Sequence, residues 1–346
     1  MQKLFLTFDT EDFISENSIP ALHKILENLK QRDLRALFFI TGHMAERLKN
    51  FPSIVNLLDK HQIGYHSSSH SVHPTIFEFT DIEDYEEAYR ISLQRETAHI
   101  NPLTGEVEGR GGIYALRDLF PTKQITAFRA PGHCWSPPHL EALKSLGICH
   151  DFSTNISPVT VNYKDITFYP YPIMGHWQGK PSEYRVLFVS LRRKNPVMTI
   201  HPSLIVNQNE WDNIYWKSNP KKLIRPPIRS PTEVISLFHK FDLLLRLIGN
   251  LQKSHLVEVT PKLEKAERNL SLAKIDVEKC YQRSLRWAIK QEYKPKFLHQ
   301  HFLKFFEIDL ASEATNRLRE VNAPREHALT SQIQPIQKEG NQDELG

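Results

Sequence analysis

The stretch around which the chain is organised is Gly64-Tyr65-His66-Ser67-Ser68-Ser69-His70, which follows an apolar segment. If the backbone turned helically here, His66 and His70 would lie on one face and could bind one cation. The small serines between them let the backbone approach a site closely. A chain with 17 histidines also produces this spacing by chance, and solvated surface histidines are the alternative. The interpretation therefore depends on what surrounds the pair.

Apolar runs on both sides of this stretch alternate with helical patterns. Residues 3–8, 36–40 and 63–65 are predicted strands. A helix is predicted to start at Ser18, and apolar residues then recur with helical spacing. Strands that alternate with helices predict a parallel sheet, either a barrel or a doubly wound sheet.

Polar side chains stand at the ends of several predicted strands. Asp9 follows the first strand, His66 the third, and His201 a later run rich in β-formers. In parallel sheets the reacting groups lie at the carboxyl ends of strands, so these three side chains are expected to converge. Arg129 ends another strand, where it would hold Asp9 ionised, as a general base requires.

Composition bounds the class of protein. The 346 residues are 40% hydrophobic, which is enough for one large α/β domain or two smaller ones. Three widely spaced cysteines predict neither a disulfide framework nor a clustered cysteine zinc site. The net charge of +4 permits an anionic partner without demanding one, and no nucleic-acid partner is predicted.

The N-terminus runs directly into a strand pattern with no apolar targeting segment, so the expected location is cytoplasmic. The most apolar later run, residues 234–251, is interrupted by charged residues. It predicts an amphipathic helix rather than a membrane span, and it is compatible with a peripheral membrane contact.

The motifs together resemble the polysaccharide deacetylases, also called carbohydrate esterase family 4 or the nodulation-factor deacetylase homology domain. Five stretches carry the resemblance in the family's order: residues 7–12, 38–42, 66–70, 129–132 and 199–201. The resemblance covers roughly the first two thirds of the chain. It implies an α/β fold, a distorted (β/α) barrel of about seven parallel strands, compared with eight in the regular barrel.

The resemblance also implies a metal-dependent hydrolase that removes acetyl groups from N-acetylated sugars. By position, Asp9 looks like the catalytic base, Arg129 like the residue that orients it, and His201 like the acid that protonates the leaving amine. His201 and Asp9 would then act on opposite ends of the amide.

His66 and His70 look like metal ligands, and the third ligand of the family is a carboxylate near the base. This sequence departs from the family's adjacent aspartates. Strand alternation favours Glu11, whereas a turn directly after Asp9 would favour Asp12. The cofactor is a divalent metal, for which Zn²⁺ is the first expectation and other divalent metals are alternatives.

Pro131 and Trp135 are predicted to line a groove for a carbohydrate, which could be lipid- or nucleotide-linked. A partly buried structural role for Trp135 is the alternative. His73 is expected to cap a backbone carbonyl rather than to serve as a fourth ligand. Two alternatives stay open: hydrolysis of a formamide or cyclic ureide at the same site, or a catalytically silent glycan-binding barrel. The sequence does not predict the oligomeric state.

Three regions are predicted along the chain. Residues 1–265 form the deacetylase-like barrel, residues 266–310 a helical C-terminal extension, and residues 311–346 a disordered tail, because the tail is polar and lacks periodicity.

Overall fold

The computed structural model of the protein describes residues 2–70, 80–153, 156–170, 172–173, 175, 177–192, 196–211, 224–266, 275–290 and 293–308. The strands of these parts are β1 (Gln2–Thr10), β2 (Leu37–Ile40), β3 (Gln62–Tyr65), β4 (Ala98–Ile100), β5 (Val107–Arg110), β6 (Ala127–Phe128), β7 (His150–Asp151), β8 (Val161–Tyr163), β9 (Ile166–Phe168), β10 (Val197–Ile200) and β11 (Val257–Val259). The helices are α1 (Ser18–Gln31), α2 (Gly42–Leu48), α3 (Pro52–Leu58), α4 (Tyr85–Glu96), α5 (Ile113–Leu119), α6 (Pro137–Ser145), α7 (Pro181–Ser190), α8 (Ser203–Val206), α9 (Pro231–Lys253), α10 (Val277–Lys290) and α11 (Leu298–Phe305).

The main sheet has the strand order β10-β1-β2-β3-β6-β7-β9-β8, and β11 pairs with the first residues of β1. All of its strand pairs are parallel except β8 with β9. Ile173, which follows β9, pairs in parallel with Met198 of β10, so the chain curls back to the other end of the sheet. This curled, mostly parallel α/β sheet confirms the predicted distorted (β/α) barrel.

The inside of the curl is filled by aromatic side chains below the polar strand ends. Phe5 of β1 meets Phe152 and Tyr169 edge-on, and Phe152 stacks on Tyr169 with ring centroids 3.9 Å apart. Because side chains alternate along a strand, Phe5, Thr7 and Asp9 point to the same side of β1. The aromatic layer therefore forms the floor beneath the polar residues at the carboxyl end.

The C-terminal helices α10 and α11 pack on the segment that follows β6. Gly132 has φ of +59°, and the ring of Trp287 from α10 lies where a Cβ of residue 132 would stand. Trp135 stacks on Phe302 of α11, with ring centroids 5.7 Å apart. Met1–Phe306 forms one compact unit, which includes both helices, and Glu307–Gly346 forms a second. The predicted tail, residues 311–346, lies outside the described residues.

Helix α9 corresponds to the predicted amphipathic helix. Its buried face includes Phe241, Leu245 and Ile248, and Phe241 packs edge-on against Phe8 of β1. No helix in the described part of the chain is long and apolar enough to cross a membrane. The strand β11 that follows α9 pairs in parallel with the first residues of β1.

Candidate active site

The first strand is longer than its apolar pattern predicts. β1 extends to Thr10, so Asp9 lies within the strand rather than after it. Since side chains two residues apart on an extended backbone share a side, Glu11 follows Asp9 into the same cleft. The structure therefore favours Glu11 over Asp12 as the third ligand.

Glu11 lies between the two histidines of the central motif. Its Oε2 is 2.8 Å from His66 Nε2 and 3.1 Å from His70 Nε2. Within the described residues, these three buried side chains form the group whose ligand atoms all lie within 4.8 Å of one another. The nearby imidazoles outweigh the effect of burial and hold the pKa of the Glu11 carboxyl well below its usual value.

The histidines do not converge by a helical turn, and that part of the prediction is wrong. Residues 66–70 have no helical structure, and Ser67 and His70 have positive φ of 65° and 54°. The His70 backbone N–H donates to Ser67 Oγ at 3.0 Å, which closes the loop on itself. The imidazole rings reach a centroid separation of 5.1 Å. A tight loop with two residues in the left-handed conformation, rather than one turn of helix, therefore brings the two imidazole rings together.

A buried carboxylate supports this loop from behind. Glu96, at the end of α4, is fully buried, and its Oε2 accepts hydrogen bonds from Tyr65 Oη at 2.5 Å and from the Ser68 backbone N–H at 3.0 Å. His139 Nε2 lies 2.7 Å from Glu96 Oε1. One side chain thus holds the end of β3, the middle of the histidine loop and α6 together.

Hydrogen bonds orient the candidate metal ligands. His66 Nδ1 donates to the Arg129 carbonyl at 2.6 Å, which leaves Nε2 as the ligand nitrogen. The indole N–H of the fully buried Trp211 donates to Glu11 Oε1 at 3.0 Å. Two imidazole nitrogens and a carboxylate oxygen that are oriented in this way fit a zinc-type site with an open coordination position.

The Asp12 carboxylate accepts hydrogen bonds away from the two histidines. Its Oδ1 accepts hydrogen bonds from the backbone N–H groups of Ile14 and Ser15, and its Oδ2 accepts one from Asn207 Nδ2 at 3.0 Å. Burial raises the pKa of this carboxyl, although the hydrogen bonds to Ser15 oppose the shift. Asp12 caps the turn before α1 and does not join the histidines.

Asp9 and Arg129 form a buried ion pair. Arg129 Nη1 is 2.5 Å from Asp9 Oδ1 and 3.0 Å from Thr7 Oγ1, and the guanidinium lies 4.2 Å above the Phe39 ring. Burial alone would raise the Asp9 pKa. Arg129, His66 and His201 together lower it below its usual value, so the carboxylate is ionised.

His201 stands on the other side of Asp9. Its Nε2 is 3.6 Å from Asp9 Oδ2, the oxygen that does not face Arg129. Its Nδ1 lies within hydrogen-bond distance of the Gly175 carbonyl, to which it donates. Its side chain is only slightly exposed. The structure thus gathers Asp9, Arg129 and His201 beside the Glu11–His66–His70 group, as predicted from the strand ends.

The predicted groove residues are placed differently. Trp135 is 1% exposed and stacked on Phe302, so the expectation that it lines the groove is contradicted. Pro131 is also buried. The reason is the C-terminal extension, whose helices cover this segment. His73 lies outside the described residues.

Sequence reasoning missed three residues that shape the site: Trp211, Glu96 and Gly175. Trp211 lies 200 positions from Glu11, and Glu96 lies 28 positions from Ser68. Nothing local in the sequence connects these pairs. The burial of Glu96 is visible only in the fold.

Comparison with known families gives one match. Residues 1–149 match the family model described as polysaccharide deacetylase, which includes the segments carrying Asp9, Glu11, His66, His70 and Arg129. This match supports a deacetylase that acts on carbohydrate. A comparison with curated proteins finds no match.

A search of solved structures matches a family 4 carbohydrate esterase from Bacillus anthracis, at 17% identity and a TM-score of 0.35, covering 75% of this chain and 79% of that chain. Another is a putative polysaccharide deacetylase from Mycobacterium smegmatis, at 14% identity and a TM-score of 0.41, covering 77% of this chain and 94% of that chain. A third is a family 4 pseudoenzyme from Bacillus anthracis, at 15% identity and a TM-score of 0.33, covering 58% of this chain and 55% of that chain.

Proposed function

Since residues 1–149 belong to the polysaccharide deacetylase family, we propose that the protein is a metal-dependent hydrolase that removes N-acetyl groups from a sugar or glycan intermediate. One observation carries the proposal. Glu11 lies within 3.1 Å of both His66 and His70, and this group adjoins the buried Asp9–Arg129 pair.

The three ligand candidates suit a divalent metal, with Zn²⁺ as the first choice because two imidazoles and one carboxylate are a common zinc set. When bound, such a cation supplies a Lewis acid that polarises the acetyl carbonyl and activates water. Glu11 and the two histidines would hold it. Other divalent metals accept the same ligands, so the choice among them is left to measurement.

The remaining residues handle protons and orientation. Asp9 is ionised because Arg129 pairs with it, so it can accept the proton that the attacking water loses. Arg129 engages Oδ1 and leaves Oδ2 toward the cleft. His201 donates through Nδ1 to Gly175, which directs Nε2 to the cleft, where it can deliver a proton to the departing amine nitrogen.

The substrate proposed here is an N-acetylated carbohydrate. A lipid or nucleotide carrier and a cytoplasmic location stay predictions. Cell fractionation with an antibody against the protein would test the location, and the form of the substrate would follow from the assay below.

The test combines metal content with product release. Wild-type protein reconstituted with Zn²⁺ is compared with Glu11→Gln, His66→Ala and, as the matched control, Asp12→Asn. We expect wild type and Asp12→Asn to hold one metal per chain and to release acetate from N-acetylated sugars and lipid-linked precursors. Glu11→Gln and His66→Ala should lose both properties.

Three outcomes would change the proposal. Metal that is retained in Glu11→Gln but lost in Asp12→Asn would move the third ligand to Asp12. Release of formate or opening of a ureide ring without acetate release would favour the alternative amidohydrolase. Bound metal with glycan binding but no turnover on any substrate, in wild type and Asp9→Asn alike, would identify a silent binding protein.

A further inference from the structure

Helix α7 has an outward face that is mainly apolar. Only Leu187 and Ser190 of the helix are buried. Val186, Phe188 and Val189 are 43%, 48% and 49% exposed. Scattered exposed apolar residues are common on proteins, but three of them within four positions of one short helix form a continuous patch.

Two arginines accompany this apolar patch. Arg185 and Arg192 are both exposed. Arg185 shares the outward side of the helix with Val189 by helical spacing, and Arg192 follows directly after the C-cap residue Leu191. Neither forms an ion pair with a carboxylate of the described residues. The nearest carboxylate in sequence, Glu183, accepts hydrogen bonds from the backbone N–H groups of Gln178 and Lys180. The outward side of α7 is therefore apolar and cationic.

The neighbouring helix extends this surface. Tyr184 of α7 donates through its hydroxyl to the Lys240 carbonyl of α9 at 3.2 Å. Leu243, three positions further along α9, is 46% exposed and lies on the same side of that helix as Lys240. We define the α7 face as Arg185, Val186, Phe188, Val189 and Arg192, with Leu243 at its edge.

We propose that the α7 face seats the protein on an anionic membrane surface. Apolar side chains would enter the boundary between headgroups and acyl chains, while the long arginine side chains reach lipid phosphates. Charge complementarity favours an anionic membrane over a second copy of this chain. Two copies that met through the α7 face would bring their arginines, Arg185 and Arg192, close together, and these like charges would repel.

The α7 face is close in sequence to the cleft. Helix α7 begins shortly after Gly175, whose carbonyl accepts the His201 hydrogen bond. Membrane binding through the α7 face would suit a glycan carried on a lipid, a point that rests on the proposed function, whereas membrane binding itself does not.

The experiment measures vesicle co-sedimentation of the full chain at low and high salt. Vesicles of phosphatidylcholine alone are compared with vesicles that also contain phosphatidylglycerol. We expect binding to the anionic vesicles that falls as salt rises, because the attraction is screened. Arg185→Gln/Arg192→Gln should weaken binding about twenty-five-fold, since each arginine near an anionic surface contributes roughly fivefold. Phe188→Ser should weaken it about fivefold.

Leu103→Ser is the matched control, because Leu103 is exposed to a similar extent, 46%, and belongs to the turn between β4 and β5. It should bind like wild type. The proposal is overturned if no vesicle binds, if neutral and anionic vesicles bind equally, or if Leu103→Ser weakens binding as much as Phe188→Ser. It is also overturned if light scattering in solution shows a dimer that Phe188→Ser dissociates. Because binding is read without turnover, loss of the proposed deacetylase activity would leave this result intact.

Discussion

Trp211 donates its indole N–H to Glu11 Oε1 at 3.0 Å, while Glu11 Oε2 faces His66 and His70. The same indole lies 5.3 Å from the His70 ring, measured between centroids. One buried side chain therefore orients one candidate ligand and packs against another. Hydrogen bonds to metal ligands from the surrounding shell affect metal affinity because they fix the direction of the ligand atoms.

We predict that Trp211→Phe weakens metal binding. Phenylalanine keeps an aromatic ring beside His70 but lacks the N–H donor, so Glu11 loses the bond that holds its orientation. The zinc dissociation constant, measured by competition with a chromophoric chelator, should rise about tenfold. Trp177→Phe is the control, since Trp177 is also buried but packs on Phe241. Equal affinities in the Trp211 variant and wild type would refute the orienting role.

Glu96 gives a second prediction. Glu96→Ala leaves the Ser68 N–H and His139 without their buried acceptor and should lower the free energy of unfolding by about 3 kcal/mol. Because Ser68 lies between the two histidines, zinc affinity should also fall, by roughly tenfold. Urea unfolding and chelator competition measure the two effects.

Glu96→Gln keeps one carbonyl oxygen as an acceptor and should give intermediate values for both quantities. Glu46→Ala is the surface control, because Glu46 pairs with His99 at a half-buried position. If Glu96→Ala lost stability while the folded fraction bound zinc as tightly as wild type, the carboxylate would support the fold alone and not the ligands.

The Asp9–Arg129 pair gives a third prediction. Arg129→Met removes the cation and leaves the Asp9 carboxylate buried without its partner, which should lower the free energy of unfolding by about 3–5 kcal/mol. The double variant Arg129→Met/Asp9→Asn should regain much of this stability because no buried charge remains. Turnover should be lost in both variants, since Arg129→Met lacks the cation that holds and orients the Asp9 carboxylate and the double variant lacks the carboxylate itself. A double variant as unstable as Arg129→Met would show that packing on Phe39, rather than charge, accounts for the loss.

Buried His61 should make stability depend on pH. Burial, with Arg35 and Lys123 nearby, lowers its pKa to about 4, and its Nδ1 accepts the Ala36 backbone N–H at 3.2 Å. In the unfolded chain His61 binds a proton below a pKa of about 6.5. The unfolded state thus binds more protons between pH 6.5 and 4, so stability is full above pH 6.5 and falls on acidification by up to about 3 kcal/mol.

Urea unfolding at several pH values between 7 and 4 measures this dependence. His61→Gln should have a shallower decline with falling pH than wild type, whereas His23→Gln, at an exposed position, should follow wild type. Parallel curves for His61→Gln and wild type would exclude His61 as a cause of the acid sensitivity.

Part of the site follows from local rules. Asp9, His66, Arg129 and His201 were expected at strand ends, and the parallel pairing of β1, β2, β3, β6 and β10 brings those ends to one edge. Parallel strands that are joined by helices align their carboxyl ends whatever the lengths of the connections. Strand alternation likewise favours Glu11, which shares a side of β1 with Asp9.

Other features depended on how far β1 extends and on how the histidine loop bends. Had the chain turned directly after Asp9, Asp12 would have been the nearer carboxylate. Hydrogen bonds to Ile14, Ser15 and Asn207 hold it away instead. The sequence also did not predict the positive φ of Ser67 and His70. Glycine is the residue that most readily adopts positive φ, and neither of these residues is a glycine.

The sequence by itself determined the fold class and the residue types at the strand ends, because hydrophobic periodicity and residue order are local properties. Only the tertiary structure decided that Trp135 is covered by Phe302, that Trp211 orients Glu11 and that Glu96 supports the histidine loop. The Trp135 and Trp211 contacts join positions more than 150 residues apart, and the Glu96 contact runs from a helix end to a separate loop. No pattern along the chain encodes such contacts, since they depend on the path of the folded backbone and on what the later helices cover.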